Sequence, residues 1–358
     1  MIKLLDKYII KKFLSTYFFT LAIIMLLSMV FDISARLSEF IEKKAPLKTI
    51  FTDYYLNFLV YYGNTFSALI VFISVIWFTS KLAQDSEIIP MLFSTKPYAR
   101  IIRPYFISAT IITLFSLFIT NYLLPISNKI RLDFEEKYYR DGMIVENYNA
   151  EFNNKNYVHF SNYNSEEKIV YDFTYEEWND KNEPTYFIKA KKAENISESK
   201  RWKLTDYYER YIGKTNDILI VKPYKDTIFN FTINDLAFRD NNIQKMSHNE
   251  LTSFIQREEL KGNPAVAKFK MNLYERFSLP FATYVLTLIG VSVSSRKNRG
   301  GIGVNIAIGL GFVFLYIFAM KVTSVAAINV GFPAIIAAWT PNLIFGIIGL
   351  FLYKNAQK

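Results

Sequence analysis

Six runs of about 20 mostly apolar residues stand in two blocks of three, at residues 13–33, 54–80, 101–124, 277–293, 302–325 and 333–353. A helix of about 20 apolar residues crosses the hydrocarbon core of a bilayer, so each run is long enough to span a membrane. No small-residue cleavage site follows the first run, which indicates a retained span and not a secretory signal. The pattern predicts an α-helical membrane protein with six transmembrane helices, three plus three.

A polar stretch separates the two blocks and changes the hydrophobic period. Its short aromatic and β-branched runs are separated by Asn, Asp, Lys, Gly or Pro, which is typical of strands and turns. These runs lie at residues 156–161, 168–175, 185–190, 202–204, 207–212, 217–222 and 227–233. About seven or eight such strands predict an inserted all-β domain of the jelly-roll type. The predicted domains are residues 1–125 with spans one to three, 126–271 with the β domain and flanking helices, and 272–358 with spans four to six.

Lys and Arg concentrate on one side of these predicted spans. The amino terminus, the turn after span two, the turn after span four and the carboxyl-terminal tail are all basic. The positive-inside rule places these four sites, and with them both termini, in the cytoplasm, and it places the β domain on the opposite side. The net charge of +10 is mostly this topological signal, so we infer no binding of nucleic acid from it.

The turn after span two, residues 81–103, is too long and too regular for a simple loop. Apolar residues recur there at helical spacing beside Asp85 and Glu87, and Pro97 ends the pattern. The spacing predicts a short amphipathic helix at about residues 82–96 on the cytoplasmic face. Such a helix is suited to docking a soluble partner.

A stripe of small residues lies along span five, where Gly303, Ala307 and Gly311 follow one another at i+4 spacing. Small side chains allow a second helix to approach closely, either within this chain or from a second subunit. Lys321 lies near the outer end of the same span, where snorkelling to the membrane surface explains its charge as well as a functional role does.

Catalytic chemistry finds little support in the sequence. The chain has no cysteine, and its two histidines, His159 and His248, belong to no HExxH motif. Gly213-Lys214-Thr215 lacks the rest of a phosphate loop. We therefore predict no catalytic residue, no metal site and no ATP hydrolysis by this chain alone.

Two other classes of protein stay open on these grounds. A permease of another ABC-type efflux or mechanotransmission system would also carry an external domain, but it usually has four spans with the insert after the first. An intramembrane enzyme would need a paired acid and base within the spans. Only Asp32, Glu275 and Lys321 are available for that purpose, all near the outer edge.

Several motifs, taken in their order and spacing, resemble the lipopolysaccharide-export permeases of the Lpt transporter. They are Leu5-Asp6-Lys7-Tyr8-Ile9 before span one, the helix with Ser86 and Glu87 after span two, the three-plus-three spans around an external β domain, and Lys270-Met271-Asn272-Leu273 leading into span four. The resemblance covers the whole chain, and the opening is more similar to the G subunit than to the F subunit.

The resemblance implies a non-catalytic subunit in the bacterial inner membrane whose β domain is periplasmic. Its partners would be an F-type permease subunit, a dimeric cytoplasmic ATPase (LptB-like), a single-span periplasmic bridge protein (LptC-like) and membrane lipids. ATP and Mg would be used by the ATPase, and this chain would bind no cofactor. The substrate would be lipopolysaccharide, extracted from the inner membrane and passed to the bridge for export to the outer membrane.

The resemblance also implies roles for particular residues. By position, Glu87 matches the coupling-helix glutamate that meets the ATPase, and its neighbours in that role would be Ser86, Ile88 and Leu92. The chain departs from the family pattern around it at Asp85, Pro90 and Thr95. Basic residues near the outer surface correspond by region to the family's contacts with lipid phosphates: Arg36, Lys43, Lys44, Lys129, Arg131 and Lys321.

Overall fold

The computed structural model describes residues 3–87, 98–140, 144–152, 155–165, 167–196, 200–213, 216–233, 240–260, 263, 265–295 and 301–356. The chain divides into two compact units. The helical unit comprises Met1–Tyr139, Gln244–Leu251 and Ala267–Lys358, and the β unit comprises Arg140–Ile243 and Thr252–Val266.

The helices of the described residues follow the predicted spans but differ from them in length. In chain order they are α1 (Leu4–Glu42), α2 (Leu47–Thr49), α3 (Leu56–Thr65), α4 (Ser67–Gln84), α5 (Tyr98–Phe118), α6 (Leu124–Tyr138), α7 (His248–Leu260), α8 (Val266–Ser294), α9 (Gly301–Asn329) and α10 (Ala334–Ala356). Wider π-helical turns at Ile50–Tyr55 and Ile119–Leu123 lead into α3 and α6, and a 3-10 turn at Asp240–Lys245 precedes α7.

Six helical stretches of the described residues are long and apolar enough to cross a membrane, which confirms the predicted number of spans. Two of them differ from the prediction in shape. α1 continues without a break through the charged residues on both sides of its apolar run, because Lys, Glu and Arg are good helix formers. The second predicted span is divided into α3 and α4 at Phe66, whose φ of −92° and ψ of 2° leave the helical region.

α4 forms the centre of the helical unit. Its buried residues Phe72 and Val75 are fully covered, and they meet α8 at Gly290, where a side chain would come within 2.9 Å of Val75 Cγ1. Gly309 of α9 approaches Ile76 more closely still, since a Cβ placed there would lie 2.2 Å from Ile76 Cδ1. The glycines let α8 and α9 pack directly against α4.

The β unit is built on one six-stranded antiparallel sheet whose strands follow sequence order. The strands are β1 (Ile144–Phe152), β2 (Asn156–Asn164), β3 (Ile169–Trp178), β4 (Pro184–Asn195), β5 (Arg201–Tyr211) and β6 (Ile218–Ile228). Alternate residues cover one core that includes Phe160, Phe173 and Trp202, all fully buried. The stretch after β6 closes this core, because Phe229 and Phe231 pack into it and the Phe231 carbonyl accepts a hydrogen bond from Trp202 Nε1 at 3.2 Å.

The inserted β domain is confirmed, and its described residues form six strands that are longer than the seven or eight predicted. Strand pairing is interrupted in each of the five strand pairs, and these interruptions lie in a row across the sheet. In this row Asn147, Asp172 and Asp206 adopt φ angles of 50°, 52° and 52°. Asn and Asp tolerate this left-handed region better than most residues. Because Asn and Asp are typical of turns, the sequence predicts two separate runs, 202–204 and 207–212, on either side of Asp206. The structure has one strand, β5, that continues through Asp206.

A buried carboxylate ties the last three strands together. Glu209 of β5 accepts hydrogen bonds from Tyr186 of β4 at 2.8 Å and from Lys225 of β6 at 2.5 Å. Burial alone would disfavour the charged carboxylate, but the bonds from Lys225 and Tyr186 outweigh it and hold the pKa of Glu209 below its ordinary 4.5. At pH values above 4.5, ionised Glu209 therefore stabilises the β unit. This contribution is lost as the pH falls through the lowered pKa of Glu209 in the folded state.

Glu209→Gln is accordingly expected to destabilise the β unit by about 1–3 kcal/mol near neutral pH, because hydrogen bonds to a charged group are lost. Protease resistance of the β unit, followed from pH 7 downward, measures the effect. Asp180→Asn is the matched control, since Asp180 pairs with Lys155 at the exposed surface and should matter little. Identical loss of resistance in the wild type and Glu209→Gln at every pH would exclude this role for Glu209.

Candidate functional site

Aromatic rings surround one predicted basic residue, Arg36, towards the carboxyl-terminal end of α1. We define the aromatic cluster as Phe40, Tyr54, Tyr55, Phe58, Phe134, Tyr138 and Tyr139, which α1, α6 and the chain around them contribute. The Arg36 guanidinium lies 4.1 Å from the centroid of the Tyr139 ring, and its Nη1 lies 3.5 Å from Glu39 Oε2. Because 36% of the Arg36 side chain is exposed, its charge can still meet an anion from outside.

Arg131 lies in a different environment from the one its sequence position suggested. Only 5% of its side chain is exposed, and it forms an ion pair with Glu135 one turn along α6. Its Nη2 donates hydrogen bonds to Asn128 Oδ1 at 3.3 Å and Gln244 Oε1 at 3.4 Å, and the guanidinium faces the Tyr61 ring. Its charge is thus balanced inside the helical unit, and this arrangement does not present it to a lipid.

The other predicted lipid contacts lie at the surface. Lys43 and Lys44 follow the last residue of α1, where Lys44 has a φ of 50°, and both are exposed. Lys129 on α6 and Lys321 on α9 are also exposed. The structure therefore brings Arg36 and Arg131 to the same end of the helical unit in different roles, and it leaves Lys43, Lys44 and Lys321 accessible to an anionic ligand.

Sequence reasoning missed the acidic and tyrosine partners of these bases. Asp32 of α1 accepts a hydrogen bond from Tyr55 at 3.2 Å, and Tyr54 and Tyr139 bring their hydroxyls within 3.4 Å of each other. The i+4 spacing of Arg131 and Glu135 could have indicated the ion pair, since residues four apart lie on one face of a helix. The tyrosine contacts join distant parts of the chain, so no local spacing reveals them.

Two of the four predicted coupling residues are described, and the other two are not. Ser86 has a φ of 60° just beyond the end of α4. Glu87 follows it and accepts a hydrogen bond from the Tyr8 hydroxyl at 2.8 Å. Ile88 and Leu92 lie outside the described residues, as does most of the predicted helix at about residues 82–96.

In the part of the chain that the structure describes, nothing packs closely against the small-residue stripe of span five. Gly303, Ala307 and Gly311 are exposed, and a Cβ placed on either glycine would meet no other atom within 4 Å. The close approach to α4 occurs on a different face of α9, at Gly309. Packing within the chain and contact with a second subunit both stay predictions, and the exposure of the stripe among the described residues favours the second.

Comparison with known proteins adds one finding to this geometry. The family described as "Lipopolysaccharide export system permease LptF/LptG" matches residues 7–355, which include both helical blocks and the inserted β unit. The match does not distinguish the two subunits that the family name joins. No curated protein matches the chain.

Proposed function

Because this chain belongs to the lipopolysaccharide export system permease family LptF/LptG, we propose that it is one permease half of an ABC transporter that extracts lipopolysaccharide from the inner membrane. The observation that carries the proposal is the family match over nearly the whole chain, on a fold of six apolar helices interrupted by one β unit. It is a multi-pass inner-membrane protein and a permease subunit, not an enzyme. The opening motif Leu5-Asp6-Lys7-Tyr8-Ile9 favours the G-type role.

The proposed orientation follows the distribution of basic residues. Both termini and the chain between α4 and α5 lie in the cytoplasm, where a dimeric ATPase (LptB-like) binds and uses ATP and Mg. The β unit is then periplasmic. The exposed stripe of Gly303, Ala307 and Gly311 supports an F-type partner, because its small side chains let a neighbouring subunit's helix approach α9 closely.

The last strand of the sheet supports transfer to a periplasmic bridge protein. β6 is an edge strand of 11 residues, and large apolar side chains on it are unusually exposed: Ile218, Leu219, Val221, Tyr224 and Ile228. Native proteins rarely leave a long apolar edge open, since its free backbone groups pair readily with another strand. A strand of a single-span bridge protein (LptC-like) would extend the sheet at this edge.

Accessible cations are proposed to bind the phosphates of the glycolipid. Lipopolysaccharide carries anionic phosphates at the level of the outer headgroups. The predicted contacts that the structure leaves accessible are Arg36, Lys43, Lys44, Lys129 and Lys321. Each Lys or Arg beside an anionic surface contributes about 1 kcal/mol, so several together would bind the substrate firmly but release it. Arg131 is assigned to the internal ion pair with Glu135 and not to lipid binding.

The double variant Arg36→Gln and Lys321→Met is expected to weaken lipopolysaccharide binding roughly tenfold or more, because two cations are lost while much of each aliphatic stem remains. Photocrosslinking of lipopolysaccharide and its ATP-driven release from vesicles measure the effect. Lys137→Met is the control, because Lys137 is an exposed cation of α6 that is not among the predicted contacts. Wild-type crosslinking and release in the double variant would show that these charges only snorkel.

A further inference from the structure

The first turns of α1 contact the chain immediately before and shortly after residues 88–97, at Glu87 and Arg100. On the amino-terminal side, the Tyr8 hydroxyl donates a hydrogen bond to Glu87 Oε2 at 2.8 Å. On the carboxyl-terminal side, Arg100 of α5 donates two hydrogen bonds to the Asp6 carboxylate, at 2.6 and 2.8 Å. One short motif thus holds the chain both before and after residues 88–97.

The contact between Asp6 and Arg100 is stronger than an ordinary surface ion pair. Asp6 is only 2% exposed, and it also accepts a hydrogen bond from the Lys3 backbone at 2.8 Å, which caps α1. A bidentate pair between a guanidinium and a carboxylate fixes direction as well as distance. Arg100 therefore sets the position of the start of α5 relative to α1.

The contact between Tyr8 and Glu87 reaches a different side of the same helix. Residues two apart in an α-helix point roughly 200° away from each other, so Asp6 and Tyr8 face different neighbours. Lys12 lies one turn further along, 4.8 Å from the centre of the Tyr8 ring, and this cation helps to hold the ring in place. The two contacts together use both sides of the amino-terminal end of α1.

The carboxyl-terminal flank has a second anchor on other helices. Tyr98, the first residue of α5, lies with its hydroxyl 2.9 Å from Ser295 Oγ at the end of α8. Its ring also contacts Tyr353 of α10, with the ring centres 5.4 Å apart. Contacts with three helices thereby oppose displacement of this flank, and one of them, α1, also contacts Glu87.

We propose that Asp6 and Tyr8 are positioning residues that hold Arg100 and Glu87 to α1, so that Glu87 and the start of α5 move together with the first span. α1 is a single helix of 39 residues, and it carries Arg36 beyond its middle. From Asp6 to Arg36 the helix extends about 45 Å, so a displacement at one end is transmitted to the lipid-binding end without a hinge. The inference rests on the proposed function, because it assigns the route by which ATPase motion reaches the substrate.

The test measures how much lipopolysaccharide is released per ATP hydrolysed by the complete complex in vesicles. Three variants are compared: Tyr8→Phe, Asp6→Asn, and the exchanged pair Asp6→Arg with Arg100→Asp. Tyr122→Phe is the matched control, since it removes an exposed tyrosine hydroxyl from the π-helical turn before α6. Tyr8→Phe and Asp6→Asn are expected to lower the ratio roughly fivefold each while ATP hydrolysis continues, and the exchanged pair to restore part of it.

A merely structural role predicts a different result, because it lowers assembly, hydrolysis and release together and leaves the ratio unchanged. That outcome in Tyr8→Phe and Asp6→Asn would overturn the proposal. If Asp6→Asn fails to assemble, Tyr8→Phe decides alone, since its hydrogen bond lies at the exposed surface. If release per ATP is normal in both variants but lowered in Glu87→Ala, the positioning role is rejected and the proposed function is retained. If the wild-type complex shows no ATP-driven release, both are rejected.

Discussion

Replacing Glu87 by Ala is expected to abolish ATP-driven release of lipopolysaccharide and to weaken retention of the ATPase. Glu87 follows the last turn of α4, where it accepts the hydrogen bond of Tyr8. A carboxylate in this place can also accept charge-assisted hydrogen bonds from Arg or Lys of a docked subunit. Removing one partner of such a pair at an interface costs about 2–5 kcal/mol, so the affinity for the ATPase should fall roughly 30-fold or more.

Tyr8→Phe separates the two roles of this carboxylate, because it removes the internal hydrogen bond and leaves Glu87 in place. Copurification of the ATPase from detergent measures binding, and release from vesicles measures coupling. We expect Glu87→Ala to lose the ATPase and Tyr8→Phe to keep it. Normal copurification and release in Glu87→Ala would remove Glu87 from the coupling site and leave the rest of the proposal standing.

Gly290→Leu is expected to have the second large effect, which is a loss of stability. A Cβ at Gly290 would lie 2.9 Å from Val75 Cγ1 and 3.2 Å from Phe72 Cδ2. Both neighbours are fully buried, so overpacking should cost about 1–3 kcal/mol. Thermal unfolding of the purified chain in detergent is the measurement, and the melting temperature of Gly290→Leu should fall clearly.

Gly311→Leu and Ala307→Leu are the matched variants on the exposed face of α9. A Cβ placed at Gly311 would have no atom within 4 Å, so the isolated Gly311→Leu chain should unfold at the wild-type temperature. If the F-type partner packs on the stripe, Ala307→Leu should nevertheless reduce copurification of that partner. A melting temperature that falls equally in Gly290→Leu and Gly311→Leu would contradict the packing described for α8 against α4.

Long-range periodicity was enough to predict the spans and the inserted β domain. Hydrocarbon thickness fixes the length of an apolar run, so six such runs are visible without any tertiary information. Helix ends are less constrained, and the prediction therefore missed the length of α1, whose charged ends continue the same helix. The division of β5 at Asp206 failed for a related reason, since a residue that favours turns can also occupy a crease within a strand.

The candidate site was only partly predictable, because the chemistry of a side chain depends on what packs against it. Arg36 and Arg131 both look like outer-surface bases in the sequence, but Glu135, Gln244 and the Tyr61 ring enclose only Arg131. The glycines of α9 also show that spacing alone does not reveal which face of a helix packs against a neighbour. Spacing identifies a stripe, yet the close contact lies on the face of Gly309 and not on the face of the stripe.

The central claim is that this chain moves lipopolysaccharide out of the membrane when its complex hydrolyses ATP. The most direct measurement reconstitutes the chain with an F-type permease, the ATPase and the bridge protein in vesicles that contain lipopolysaccharide, and follows its transfer to the bridge by crosslinking. We expect transfer to require ATP and this chain, and to be lost with Glu87→Ala. Transfer that proceeds equally without this chain, or no transfer despite ATP hydrolysis by the assembled complex, would contradict the central claim.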